Sequence, residues 1–150
     1  MRQIISLSNL RFFLIPILFI MTFVRCDDNE VPFPYVSVNV YLALDTQLGN
    51  MLVDSYKTID GYGLGGLIIY RKDQNIFLAF DKSCTHEASR NCILTDDTEF
   101  AGILDCPCCG SKYWMTGSDL AGSIMQGPTK APLKQYRCYF DGTNTVHVTN

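Results

Sequence analysis

Apolar and polar residues alternate from residue 36 onward, and this pattern marks the start of the folded part of the chain. Apolar side chains occupy every second position at Val36, Val38, Val40, Leu42 and Leu44, with mostly polar or small residues between them. A period of two places such side chains on one face of a β-strand. We therefore predict that a strand with one buried face begins a domain covering residues 35–150.

Six further runs have the composition of short strands, and turn-forming residues separate them. The hairpin-like connections are residues 72–75 (Lys-Asp-Gln-Asn) and 141–144 (Asp-Gly-Thr-Asn). No run of a dozen residues with helical periodicity follows residue 34. The sequence predicts an all-β domain, an antiparallel sandwich or barrel. Its expected strands are residues 67–71, 76–81, 99–105, 112–115, 135–140 and 145–149.

The N-terminal segment differs from the rest in its hydrophobic pattern. An apolar run at residues 12–24 follows two arginines, Arg2 and Arg11, and three acidic residues come after it. Thirteen residues are too few to span a bilayer comfortably, whereas this order of charge and apolar residues is typical of a secretory signal. We predict a signal peptide over residues 1–25 and export of the remaining chain.

Cys26 follows this segment directly and is typical of a bacterial lipoprotein, in which that cysteine is acylated and becomes the mature N-terminus. Arg25 stands where lipoprotein signals prefer a small residue. A soluble secreted form and an uncleaved anchor are the alternatives. The polar residues 26–34, which include two prolines, show no apolar periodicity and are predicted to form a tether between the membrane and the domain.

The overall charge is acidic, which excludes one class of partner. The chain carries 12 basic and 15 acidic residues, and removal of residues 1–25 takes away three arginines and no acids. The mature net charge is therefore −6, counted from nine basic and fifteen acidic residues. Nucleic-acid binding requires a basic surface, so we predict no nucleic-acid partner.

Two short clusters of cysteine and histidine have the spacing of metal-binding loops. Cys84 and His86 are two residues apart, so an extended segment would direct both side chains to the same side. Cys106 and Cys109 are separated by two residues, beginning with a proline, which favours a turn that brings two thiols together. Two ligand pairs on separate loops predict a metal site at Cys84, His86, Cys106 and Cys109.

These loops resemble the cluster-binding loops of the Rieske [2Fe-2S] domain. The residues Cys-Thr-His at 84–86 match its first motif, Cys-Pro-Cys-Cys-Gly-Ser at 106–111 resembles its second, and Gly-Pro-Thr-Lys-Ala-Pro-Leu at 127–133 resembles the segment that closes the site. The resemblance covers about residues 63–149. It implies a Rieske-like antiparallel fold with a two-loop cluster-binding subdomain. It also implies a [2Fe-2S] cluster held by Cys84, Cys106 and His86, with Cys109 where the family has its second histidine.

The resemblance carries two further implications. Respiratory Rieske proteins bear an extra cysteine in each loop, joined as a disulfide; the corresponding residues here are Cys92, displaced by a short insertion, and Cys108. Two unpaired buried thiols are the alternative.

Ser111 and Tyr113 stand where those proteins place hydroxyls that donate hydrogen bonds to cluster sulfur, and the alternative is a turn serine and an ordinary strand tyrosine. Cys138, within a predicted strand, is expected to be a small core side chain.

The resemblance favours electron transfer by a membrane-tethered iron–sulfur protein whose partner is another redox protein. We expect an electron carrier or oxidoreductase subunit rather than a stand-alone enzyme. His147, in an alternating segment, is expected to be a strand residue rather than a general base. Two alternatives remain, because three thiols and one imidazole also suit tetrahedral zinc. Moreover, Arg2 and Arg11 do not form a twin-arginine signal, which serves the export of folded proteins. Export of an unfolded chain would deliver an empty site, and the second alternative is therefore a structural or interaction lipoprotein that has this fold without a cluster.

Overall fold

The computed structural model describes residues 32–150, and within that range the protein is built from β-strands and turns. The predicted signal peptide at 1–25, the acylation site at Cys26 and the tether up to residue 31 lie outside the described residues. Across residues 32–150 there is no helix with the length and hydrophobicity needed to cross a membrane. The strands are β1 (Asn39–Ala43), β2 (Ser55–Ile59), β3 (Leu67–Asp73), β4 (Ile76–Asp81), β5 (Thr95–Asp96), β6 (Ile103–Asp105), β7 (Lys112–Trp114), β8 (Ile124–Gln126), β9 (Gln135–Phe140) and β10 (Thr145–Thr149).

The strands form two antiparallel sheets of unequal size. The larger sheet has six strands in the order β1-β10-β9-β4-β3-β2, and the smaller has four in the order β5-β6-β7-β8. β1 pairs with β10, so the first and last strands of the described chain are neighbours. The small sheet is an insertion between β4 and β9, which are themselves paired. The predicted all-β antiparallel fold, with a separate subdomain carrying the two cysteine-containing loops, is confirmed.

Three strands were not predicted, and two predicted strands are shorter than expected: the alternating segment at 36–44 forms β1 only over Asn39–Ala43, and that at 99–105 forms β6 only over Ile103–Asp105. β2, β5 and β8 carry mainly exposed or half-exposed side chains, so no apolar alternation marks them. Residues 99–102 form a turn because the carboxylate of Asp97 accepts hydrogen bonds from the backbone amides of Glu99 (2.8 Å) and Phe100 (2.9 Å). Such a side-chain acceptor competes with strand pairing, and β6 therefore begins only at Ile103.

β3 is buried on both faces and joins the two hydrophobic cores of the domain. Leu67 and Ile69 pack in the core of the large sheet, whereas Ile68 and Tyr70 pack in a second core with residues of the small sheet. All four side chains have no solvent exposure. Burial on both faces explains why this strand is a continuous apolar run rather than an alternating one. The second core includes Cys84 and Cys106, along with the buried tyrosine of β7.

Asp81, the last residue of β4, is fully buried and fixes the chain just before the first cysteine-containing loop. Its carboxylate accepts hydrogen bonds from the backbone amides of Leu64 (2.6 Å), Gly65 (3.0 Å) and Ser83 (2.8 Å), and from the hydroxyl of Tyr136 (2.7 Å). Burial and the facing carboxylate raise the pKa of Tyr136, which keeps it a donor. These four donors satisfy the carboxylate of Asp81, whose burial without hydrogen bonds would be energetically costly.

We expect Tyr136→Phe to lower the free energy of unfolding by about 1–3 kcal/mol, because Asp81 loses one of its four donors inside the core. Urea denaturation measures the change. Tyr139→Phe is the matched control, since Tyr139 lies on the same strand but is 68% exposed and should change stability by less than about 0.5 kcal/mol. Equal changes in the two variants would show that the hydrogen bond to Asp81 contributes nothing to folding.

Candidate metal centre

The first cysteine-containing loop is a turn rather than an extended segment. The backbone amide of Ala88 donates to the carbonyl of Cys84 (2.8 Å), and Ala88 has a positive φ of 45°. Residues 85–87 therefore curl back over Cys84. The expectation that two-residue spacing directs Cys84 and His86 to one side of an extended strand is wrong, because alternation holds only for extended backbone.

The second loop has the same backbone closure. The amide of Gly110 donates to the carbonyl of Cys106 (2.8 Å), and Gly110 has a φ of 73°, a conformation that glycine adopts without strain. Residues 107–109 form the turn that the proline predicts. The amide of Cys106 also donates to the carbonyl of Ser111 (2.9 Å), which closes the base of the loop.

A disulfide joins the two loops. Cys92 and Cys108 are bonded, with their Cα atoms 5.8 Å apart and a separation of 16 positions in sequence. This is the pairing that the family resemblance implies. A covalent link of this kind restricts the separation of two loops that otherwise extend from the fold as turns.

Three sulfur atoms converge between the loops. The Sγ atoms of Cys84, Cys106 and Cys109 all lie within 4.8 Å of one another, and those of Cys84 and Cys109 are 3.6 Å apart. Cys84 and Cys106 are buried, whereas Cys109 is half-buried and closes the outer side of the group. Three thiols at this separation, shielded from solvent, form a donor set for soft or borderline metal ions.

Backbone amides point at the two inner sulfurs in the same way in both loops. Cys84 Sγ accepts from the amides of His86 and Glu87, and Cys106 Sγ accepts from those of Cys108 and Cys109, two and three residues further on in each case. Amides directed at sulfur stabilise the thiolate form that binds metal.

The two inner thiols differ in acidity. Burial acts to raise the pKa of Cys84, but hydrogen bonds from the Glu87 amide, the hydroxyl of Tyr113, the Cys106 thiol and the His86 amide together lower it. Burial raises the pKa of Cys106 to about 12, despite the opposing amides of its own loop, and the neighbouring thiols of Cys84 and Cys109 raise it further. The surroundings therefore favour the thiolate form more at Cys84 than at Cys106.

The two histidines and the remaining free cysteine lie outside the three-sulfur group. His86 is half-buried in the first turn, and its role as a ligand stays a prediction. His147 lies on β10, where its ring stacks on Tyr41 (centroids 4.1 Å apart) and Nε2 is 2.8 Å from the Asn39 side-chain oxygen. Cys138 is half-buried against the core of the large sheet, and burial raises its pKa to about 12.

The hydroxyls of Ser111 and Tyr113 lie against cysteine sulfurs. Ser111 Oγ is 3.1 Å from Cys109 Sγ and accepts a hydrogen bond from the amide of Thr129 (3.1 Å), which leaves its own proton for the sulfur. Tyr113 Oη is 3.6 Å from Cys84 Sγ, and both hydroxyl-bearing residues are fully buried. Burial raises the pKa of Tyr113 to about 12, the hydroxyls of Thr129 and Thr85 lower it, and Cys84 raises it.

The segment at residues 127–133 packs against the cysteine-containing loops. Two buried threonines make this contact, Thr129 in the segment and Thr85 in the first loop. Thr85 Oγ1 lies 2.9 Å from Tyr113 Oη, 3.0 Å from Thr129 Oγ1 and 2.9 Å from the Ala131 carbonyl oxygen. Both threonines are 6% exposed. The sequence analysis assigned these two threonines no role. They are 44 positions apart, and their neighbours along the chain do not indicate that they form a hydrogen bond with each other.

Comparison with known families decides the assignment. A family model described as the Rieske [2Fe-2S] domain matches residues 42–137, which include both cysteine loops and the segment that closes them. The chain belongs to the Rieske [2Fe-2S] domain family. A search of curated proteins finds no significant match.

Two solved structures are similar to this Rieske domain at low identity. A chain from the complex of reduced oxygenase and oxidized ferredoxin in carbazole 1,9a-dioxygenase is 21% identical, with a TM-score of 0.45, covering 77% of this chain and 94% of that one. A ferredoxin of Sphingomonas yanoikuyae B1 is 20% identical, with a TM-score of 0.48, covering 75% of this chain and 99% of that one.

The residues at the site fit the cofactor of the family. Thiolates bind the iron of [2Fe-2S] clusters, and three of them converge here with amides and hydroxyls already directed at sulfur. The Rieske family and this three-sulfur site together indicate a [2Fe-2S] cluster as the cofactor.

We expect Cys108→Ser to lose bound iron several-fold faster than the native protein while its strand content is retained, because the disulfide ties together the two loops and lies outside both sheets. Closing a loop of this length is worth about 3 kcal/mol in the unfolded-chain model. Iron release to a chelator and far-ultraviolet circular dichroism measure the two effects. Cys138→Ser is the control, since that thiol lies on β9 away from the loops. Equal iron release from both variants would contradict a role for the disulfide in holding the site.

Proposed function

We propose that this Rieske domain transfers electrons to or from another redox protein. The observation that carries the proposal is the convergence of three buried or half-buried sulfurs, each hydrogen-bonded by amides or a hydroxyl, in a chain of the Rieske family. A bound [2Fe-2S] cluster takes up and releases one electron.

The protein's own residues serve that exchange in two ways. Cys84, Cys106 and Cys109 supply anionic ligands. Ser111 and Tyr113 donate hydrogen bonds to ligand sulfur, and such bonds stabilise the more negative reduced state and so raise the potential. His86 completes the proposed ligand set from the first turn.

Cys109 in place of histidine is proposed to lower the potential of this site relative to other Rieske centres. A third thiolate adds one negative charge, so adding an electron becomes harder. Centres with two histidines have potentials of about −150 to +300 mV, and all-thiolate plant-type clusters lie near about −400 mV. We propose an intermediate value here. The hydroxyl of Ser111, 3.1 Å from the Cys109 sulfur, offsets part of that added charge.

We expect Cys109→His to keep its iron and to rise in reduction potential by at least about 100 mV. A neutral imidazole replaces a thiolate in this variant, and the potentials of two-histidine and all-thiolate clusters differ by more than this amount. Anaerobic reconstitution followed by a redox titration monitored by absorbance measures the shift. Cys138→Ser, remote from the loops, should leave the potential unchanged. A Cys109→His potential equal to that of the native protein would show that Cys109 is not a ligand.

A second candidate function is structural zinc binding. The three sulfurs lie within 4.8 Å of one another, a separation that also suits ligands gathered around a single tetrahedral ion, and His86 would be its fourth ligand. A zinc-loaded protein would be colourless and inert to dithionite, and the fold would then serve as a binding or structural domain without redox chemistry. Metal analysis after purification without oxygen separates the two candidates.

We further propose that the domain is exported and tethered to a membrane through a lipid on Cys26. The described chain begins beside the metal centre, since Pro32 and Phe33 line a cavity of about 340 Å³ together with Thr85 and Ala131. Pro32 is six positions after Cys26, a span of at most about 22 Å. This attachment supports a redox partner in or at the same membrane.

We expect Cys26→Ala to move the protein from the membrane fraction to the soluble fraction of the cell compartment into which it is exported, because the proposed lipid attachment is lost. Fractionation with detection of the folded domain measures the change. Cys138→Ala is the control and should remain with the membrane. Retention of Cys26→Ala in the membrane fraction would point to an uncleaved apolar segment as the anchor, and a native protein found wholly soluble would contradict tethering altogether.

A further inference from the structure

Three buried hydroxyl groups beside Cys84 have more hydrogen-bond contacts than protons to fill them. Tyr113 contacts Cys84 Sγ and both threonines; Thr85 and Thr129 contact each other; and each threonine contacts the carbonyl oxygen of Ala131. A hydroxyl donates one hydrogen bond and can accept two. Three protons cannot satisfy six contacts, so each arrangement leaves some of them unmade.

We propose that Thr129 is a positioning residue that leaves the Tyr113 proton available for the Cys84 sulfur, and thereby raises the reduction potential of the site. The proposal rests on the proposed electron-transfer function. Thr129 contacts Thr85, 3.0 Å away, and the hydroxyl of Tyr113, but no sulfur among the hydrogen bonds of the described residues.

The carbonyl oxygen of Ala131 can only accept hydrogen bonds. Thr85 lies 2.9 Å from it and Thr129 lies 3.0 Å from it. When Thr129 donates to this oxygen, the proton of Thr85 is free to point at Tyr113 Oη, 2.9 Å away. Tyr113 then accepts from Thr85, and its single proton is directed to Cys84 Sγ.

Loss of the Thr129 hydroxyl reverses the direction of this relay. Thr85 becomes the remaining hydroxyl donor in contact with the Ala131 carbonyl, and a buried acceptor without a donor is costly, so the Thr85 proton turns toward it. The oxygen of Thr85 then has a lone pair facing Tyr113 and no proton on that side. Tyr113 donates to Thr85 at 2.9 Å instead of to the sulfur at 3.6 Å.

The reduction potential of the reconstituted protein tests this relay. Thr129→Val should lower the potential by about as much as Tyr113→Phe, because both remove the hydrogen bond to Cys84 sulfur. Thr129→Ser, which keeps the hydroxyl, should match the native protein. Thr58→Val is the matched control, an exposed threonine on β2, and should have no effect.

Double variants separate the relay from a merely structural role. Thr129→Val should produce no further change in a Tyr113→Phe background, because no tyrosine proton remains to be redirected. The proposal would be overturned if the shifts in reduction potential caused by Thr129→Val and Tyr113→Phe were additive. It would also be overturned if Thr129→Val kept the native potential while Tyr113→Phe lowered it. An unchanged potential in Tyr113→Phe would overturn it as well.

A second readout needs no cluster. In metal-free protein kept without oxygen and labelled at tyrosine ¹³Cζ, the Tyr113 resonance, identified by its absence in Tyr113→Phe, reports the partner of its hydroxyl. Thr129→Val should shift this resonance and Thr129→Ser should not; no shift in Thr129→Val overturns the relay. A protein that takes up no iron would reject the proposed function, and this spectrum would still decide the role of Thr129.

Discussion

A buried thiolate must receive hydrogen bonds, and the metal-binding end of this domain is arranged around that requirement. Each loop closes on itself through a bond from the fourth residue after its first cysteine, at Ala88 and at Gly110. This closure directs the two preceding amides at the sulfur of Cys84 or Cys106. Those donors oppose the effect of burial, which raises the pKa of a thiol; the hydrogen bonds prevail at Cys84 and burial prevails at Cys106.

The sheets contribute by holding the two turns in place. β4 ends at Asp81, whose four hydrogen-bond donors fix the chain entering the first loop. β6 and β7 carry the second loop as the connection of a hairpin. The core shared by β3 and the small sheet contains the inner cysteines themselves, so packing and ligand placement depend on the same side chains.

Much of this arrangement could be predicted from the sequence, because it depends on local patterns. Alternation marked β1, and two cysteine-containing motifs together with the segment at 127–133 indicated the family. Features that depend on tertiary contacts could not be predicted. β2 has an unremarkable polar sequence and forms by pairing with β3. The turn at 85–87 replaces the expected extended segment; it is closed by a local backbone bond from Ala88 to Cys84, which the spacing of Cys84 and His86 does not indicate. The contact between Thr85 and Thr129 joins segments that no sequence pattern relates.

We propose that this Rieske domain holds its [2Fe-2S] cluster at Cys84, Cys106 and Cys109. The most direct measurement is the iron and sulfide content of protein purified and reconstituted without oxygen, with an electron paramagnetic resonance spectrum after reduction. The account predicts about two iron and two sulfide per chain and a reduced-cluster signal that is lost in Cys106→Ser. One zinc per chain with no iron, or iron binding that survives Cys106→Ser unchanged, would contradict it.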